Sequence, residues 1–201
     1  MTGPQLYAIF QGLALLTALA LRKRSTLPWK QQAAILAGAL FGAGVGSKLP
    51  FLLAGGGLFM EGKTILSGLA GGYFGVEAAK WLAGVREKTG DSFAMPLAAA
   101  VAVGRWGCWF NGCCAPMQIP ESGFHAMMAV LLWRLQTVER FRWQLLKLYL
   151  IAYSVFRFAT EFVRHEPKVA LGLTAYQYGS AALGAVMALL WWRDERLKRS
   201  P

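Results

Sequence analysis

Apolar residues fall in long blocks along this chain, and the charged residues collect between them. Each block approaches the roughly 20 residues that cross a bilayer core as helix. The pattern predicts seven spans, at about 4–22, 31–54, 64–85, 93–114, 122–139, 145–164 and 173–192. Three connections, "GGGLFMEG", "CAPMQIPES" and "RHEPKVALG", are short and carry glycine or proline, as links between helices do.

Composition agrees with this pattern. Of 201 residues 56% are hydrophobic and 15% charged, against a charged fraction of about 25% in soluble domains. A water-soluble surface is hard to build from such material. The expected fold class is therefore all-α: one integral membrane domain over residues 1–201, a polytopic helical bundle.

The net charge of +11 would fit a nucleic-acid binder, but its placement excludes that partner. Fifteen of the 21 basic residues sit on alternate connections: Arg22, Lys23, Arg24 and Lys30; Lys80, Arg86 and Lys88; Arg134, Arg140, Arg142 and Lys147; Arg193, Arg196, Lys198 and Arg199. Positive charge marks the cytoplasmic side. With an odd number of spans, the N-terminus is expected outside and the C-terminus inside. "RKR" follows the first apolar block rather than preceding it, which reads as a retained helix and not a secretory signal.

Glycines crowd the second and third spans, in "GALFGAGVGSK" and "SGLAGGYFG". Small residues let helices approach closely in lipid, where apolar burial gives little drive to associate. Aromatic residues near span ends, Tyr7, Trp81, Trp143, Trp191 and Trp192, suit the interfacial belt.

Ionisable residues at membrane depth mark candidate chemistry, because each costs at least about 2.5–3.5 kcal/mol to insert. They are Lys48, Glu77, Arg105, Arg157 and Glu161. Lys48 and Glu77 also have structural readings, as a snorkelling or paired lysine and as a partner for Lys80. Tyr153, Arg157 and Glu161 are four residues apart and share one helix face. Arg105 and Asn111 belong to the outer half of span four. A guanidinium grips phosphate through paired hydrogen bonds and stays charged at any relevant pH. Two arginines at this depth thus point to an acidic headgroup, with Glu161 orienting Arg157 or acting as a base; an Arg157–Glu161 pair that merely satisfies itself is the alternative.

All three cysteines, Cys108, Cys113 and Cys114, lie in "GRWGCWFNGCCAP". They read as small buried hydrophobes, as disulfide partners near an oxidising face, or as nucleophile or soft-metal ligands. Zinc-type spacing is missing. His125, eleven residues after Cys114, allows a weakly signalled Cys–His relay.

Together these features resemble the prolipoprotein diacylglyceryl transferase family. The family signature G-R-x-G-N-x-x-N-G-E is filled here by Gly104, Arg105, Gly107, Asn111 and Gly112, and its Y-x-x-x-R-x-x-x-E by Tyr153, Arg157 and Glu161, followed by Arg164. Gln177 and Ser180 match a Q-x-x-S, and Tyr7 resembles a first-helix tyrosine. The resemblance implies an enzyme of the bacterial inner (cytoplasmic) membrane with its site toward the outer face. It implies transfer of the diacylglyceryl group of phosphatidylglycerol to a lipoprotein thiol, without metal or cofactor. Arg105, Arg157, Glu161, Cys113 and His125 are then the catalytic candidates. Tyr7, Lys48, Asn111, Gly112, Tyr153, Arg164 and Gln177 are the candidates for holding phospholipid.

The departures are specific. Cys108 and Cys113 replace an asparagine and a glutamate of the signature, and Leu66 stands at the family's essential histidine. The segment H-P-x-Q-L-Y-E is reduced to "IPESGFH", with His125 at its glutamate. The phosphate-holding set is kept and the set nearest proton transfer is altered. A non-catalytic lipid-binding relative and a thiol or soft-metal membrane protein are therefore the competing expectations.

Overall fold

A computed structural model describes residues 2–23, 25–53, 64–113, 115–164 and 166–199. Arg24, Cys114 and the connection "GGGLFMEG" lie outside them. The described residues form seven α-helices: α1 Gly3–Leu21, α2 Trp29–Leu53, α3 Ile65–Leu82, α4 Gly90–Phe110, α5 Gln118–Leu135, α6 Leu145–Thr160 and α7 Ala175–Arg199. A short antiparallel pair, β1 Lys168–Ala170 with β2 Leu173–Thr174, joins α6 to α7.

The core lies between α3, α4, α5, α6 and α7, where Leu69, Ala98, Met128, Leu132, Tyr149, Leu150, Leu183 and Met187 interlock. α1 has no buried residue and lies against α4; α2 lies against α3. Leu13, Leu16, Phe41, Val45, Leu131, Trp133, Val155 and Leu189 are exposed. Such a surface suits an apolar solvent. Among the described residues three helices, Gly3–Leu21, Trp29–Pro50 and Gly90–Phe110, are long and apolar enough to cross a membrane.

Glycine sets the two outer seams. In the α2–α3 seam a Cβ on Gly42 would strike the Gly71 backbone, and one on Gly38 that of Gly75. In the α1–α4 seam a Cβ on Gly107 would stand 3.0 Å from Phe10 Cβ and 3.2 Å from the Tyr7 carbonyl oxygen. The signature glycine therefore serves helix packing.

α5 begins at Gln118, four residues before the predicted span. The segment Gln118–Glu121, expected as connection, is the first helical turn. Pro120 sits within that turn, where a missing N–H breaks no helix hydrogen bond. The shift turns Glu121 and Ser122 into the bundle, and Ser122 Oγ donates to the Ala102 carbonyl of α4 at 2.9 Å.

The end of the bundle where α6 starts holds a buried charge cluster. Asp91 of α4 accepts the backbone N–H groups of Trp143 (2.5 Å) and Leu145 (3.0 Å), which α6 cannot satisfy itself. Asp194 of α7 receives Lys88 at 2.7 Å and Lys147 at 2.9 Å. Burial pushes the Asp194 carboxyl up, but hydrogen bonds from the two lysines outweigh it and hold the group below the usual carboxylate range.

Candidate functional site

At the opposite end, α3 and α7 begin, α5 begins, and α4 and α6 finish. There lies an open cleft with a cavity volume of about 50 Å³. Thr64, Ile65 and Leu66 form one wall, and Arg105, Glu121, Tyr153 and Arg157 the polar floor. Arg164 and Tyr176 complete the lining.

Both arginines of the floor are buried, at 5% exposure each. They reach it from different helices and meet at one carboxylate. Arg105 Nη2 pairs with Glu121 Oε2. Arg157 Nη1 stands 3.9 Å from Glu121 Oε1, which also accepts the Tyr153 hydroxyl at 3.3 Å. Arg157 Nη2 pairs with Glu161 Oε2 at 3.0 Å, one turn further on, and its guanidinium lies 5.5 Å over the Tyr176 ring. Glu161 Oε1 accepts the Thr174 hydroxyl at 3.2 Å. The polar face expected from Tyr153, Arg157 and Glu161 is thus a continuous line of contacts, although Glu161 sits in a 3₁₀ turn just past α6.

The cluster contains two guanidinium and two carboxylate groups. Arg157 Nη1 is buried and has no hydrogen-bond acceptor among the described residues. An enclosed donor without an acceptor is costly unless a ligand supplies one.

Several expected site residues have other tasks. Gln177 is 1% exposed and completes a capping box at the start of α7: its Oε1 accepts Thr174 N–H at 2.9 Å, and its N–H donates to Thr174 Oγ1 at 3.3 Å. Its Nε2 donates to the Phe158 carbonyl at 3.4 Å. Both ends of the Gln177 amide are thus engaged, and it anchors the helix that carries Tyr176.

Gly112, at φ 68°, is the left-handed residue after α4. Gly112 N–H bonds Trp109 O and Cys113 N–H bonds Cys108 O, both at 3.1 Å, which makes a Schellman stop. That glycine makes a helix stop. Asn111 is exposed beside Gly3 of α1, away from the cleft lining. Tyr7 packs its backbone on Gly107. Lys48 is half-buried, next to Ser47, whose carbonyl accepts Thr64 N–H at 3.1 Å.

Cys113 is a free thiol with Sγ 3.7 Å from Cys108 O, and Cys108 Sγ lies 3.6 Å from Arg105 Nη1. His125 is fully buried one turn after Glu121. Its Nδ1 meets Tyr149 Oη at 2.8 Å, Phe124 and Tyr153 enclose the ring, and Nε2 has no hydrogen-bond partner among the described residues. Neither Cys113 nor His125 lines the cleft. Among the described residues no three His, Cys, Asp or Glu side chains gather as a metal site.

Glu121 is the residue that sequence reasoning missed. Its signal was available: an acidic residue in "IPES" directly before an apolar block, with a proline placed where a helix tolerates one.

Buried, opposed charges beside a cleft, in a bundle whose α1, α2 and α4 are long and apolar enough to cross a membrane, are the features of a membrane protein with a polar site. The model of one family, prolipoprotein diacylglyceryl transferase, matches residues 4–193. The chain belongs to that family and is accordingly a membrane protein of a transferase family. No match is found among curated proteins, and none among solved structures.

Proposed function

We propose that the chain crosses the bacterial inner membrane seven times, N-terminus outside and C-terminus in the cytoplasm. It transfers the diacylglyceryl group of phosphatidylglycerol, or a related anionic phospholipid, to a lipoprotein thiol at the outer face. The basic connections at the end opposite the cleft support this orientation.

One observation carries the reading: Arg105 and Arg157 both reach the same carboxylate in the cleft floor. Two guanidiniums that share one carboxylate are close enough to share one phosphodiester, which offers the same pair of acceptor oxygens. In the reaction they hold the phosphate and stabilise the charge that grows on it as the carbon–oxygen bond breaks. Glu161, held by Thr174, fixes the angle of Arg157. Purified protein given labelled phosphatidylglycerol and a cysteine-bearing lipobox peptide should release glycerol phosphate and yield a thioether-linked peptide. The absence of both products refutes the transferase reading.

A second reading, a lipid-binding relative without catalysis, draws on Leu66. This buried alkyl side chain lines the cleft at the position matched to the family's histidine, and His125 is enclosed elsewhere. Under it, phosphatidylglycerol stays bound and intact, and Cys113→Ser or His125→Ala changes nothing.

A further inference from the structure

Glu121 presents a problem that the transfer reaction itself resolves. It is 2% exposed and occupies the point where both guanidiniums converge, so a phosphate and this carboxylate compete for the same donors. The two carboxylates differ in how they are held. Glu161 is fixed from two sides, by Arg157 at 3.0 Å and by Thr174, whose own backbone is locked in the α7 capping box. Glu121 pairs closely with Arg105 and accepts the Tyr153 hydroxyl, but its contact on the Arg157 side is loose, at 3.9 Å. It also stands in the first turn of α5 and lines the cleft, whereas Glu161 does not. Of the two, Glu121 is the one that faces a ligand in the cleft, and its hold on Arg157 is the looser.

Charge makes the exchange more than steric. Arg105 and Arg157 balance Glu121 and Glu161, and Arg164 in the lining is balanced by Glu166 at 2.9 Å; a phosphodiester adds one negative charge beside two buried carboxylates, which is costly while both remain ionised. Neutrality returns when one carboxylate takes a proton. An acceptor thiol has to lose one before it attacks, because the thiolate is the nucleophile. Cys113 stands away from the cleft lining, and His125 faces Tyr149.

We propose that Glu121 is a displaceable counter-ion: the lipid phosphate takes its place between Arg105 and Arg157, and the released carboxylate then acts as the base for the acceptor thiol. This rests on the transferase reading above. In the step, the thiol proton moves to Glu121, and the sulfur forms a bond to the terminal glycerol carbon of the diacylglycerol. The bond between that carbon and the phosphate oxygen breaks, and its electron pair leaves on the oxygen. Glu121 then returns the proton to the departing glycerol phosphate and closes again on the two arginines.

Glu121→Gln tests this, because the amide keeps the shape and cannot take the proton. The probes are phosphatidylglycerol in mixed detergent micelles and a cysteine-bearing lipobox peptide. Phosphatidylglycerol retention should stay equal or rise, while kcat at neutral pH falls about 100-fold or more, the scale of general-base catalysis. The residual rate should climb as pH approaches about 8.5, where the thiol ionises unaided. Wild-type kcat in this variant overturns the proposal, and so does joint loss of lipid retention and transfer, the signature of a purely structural counter-ion. Should the Gln variant fail to fold, Glu121→Asp decides: retained lipid with kcat lowered about tenfold supports the proposal, and unchanged kcat overturns it. A wild-type protein that neither retains the lipid nor transfers refutes the underlying function reading instead, and this inference with it.

Discussion

The two ends of the bundle bury similar charges and treat them differently. Where α6 begins, Lys147 places its ammonium on three acceptors, the Trp143 carbonyl at 2.5 Å, Gln144 Oε1 at 2.7 Å and Asp194 at 2.9 Å. Three donors meet three acceptors, and Gln144 Nε2 is tied in turn to Glu195 at 2.9 Å. Where α6 ends, Arg157 has five donors, one close partner in Glu161 and a buried Nη1 with no acceptor among the described residues, beside an open cleft. Saturated charge ties helix ends together; charge with unused donors beside open space is arranged for something that arrives. Cost of burial alone does not separate structure from function, and the accounting of donors does.

Breaking the underused end should have the largest effect. Arg105→Ala or Arg157→Ala removes a phosphate donor and strands a carboxylate, so transfer should fall about 10³-fold. Product formation per folded molecule reads this, with Lys30→Ala, on the far side of the bundle, staying at wild-type rate.

Breaking the saturated end should reverse the pattern. Asp194→Asn leaves two lysines without their counter-charge and should cost about 3–5 kcal/mol of stability, with kcat of the folded fraction unchanged. Thermal unfolding in one fixed detergent measures it. The acid dependence follows from the direction of the shift. Asp194 is held below its unfolded value, so its contribution is complete above about pH 4 and is lost as pH falls through the lower folded value. The Asn variant should lack that acid-dependent component.

The smallest effect sharpens the boundary of the site. Gln177→Ala removes half of a capping box and should cost about 1 kcal/mol while leaving phosphatidylglycerol retention intact. A selective loss of retention would instead return Gln177 to the list of lipid contacts.

Much of the fold could be read in the sequence because long apolar blocks have few alternatives to helix in lipid. The helix-to-block match is close for α1 to α4 and α6. It slips at α5, where Pro120 reads as a loop residue although it occupies a first turn. That slip hid Glu121. Of the site, the line of Tyr153, Arg157 and Glu161 was legible because a four-residue spacing within one helix is a local property. The meeting of Arg105 with Arg157 depends on how α4 packs against α6, which no local pattern contains. Gln177 and Gly112 show the converse limit: the capping box and the Schellman stop they form appear only when the hydrogen bonds are traced.

The most direct test of the central claim is the identity and amount of phospholipid carried by the protein after mild extraction, measured for wild type and Arg157→Ala by mass spectrometry. The arrangement of Arg105 and Arg157 predicts about one anionic phospholipid per wild-type chain and its loss from the variant. Equal retention in both proteins, or a zwitterionic lipid in the wild type, would contradict it.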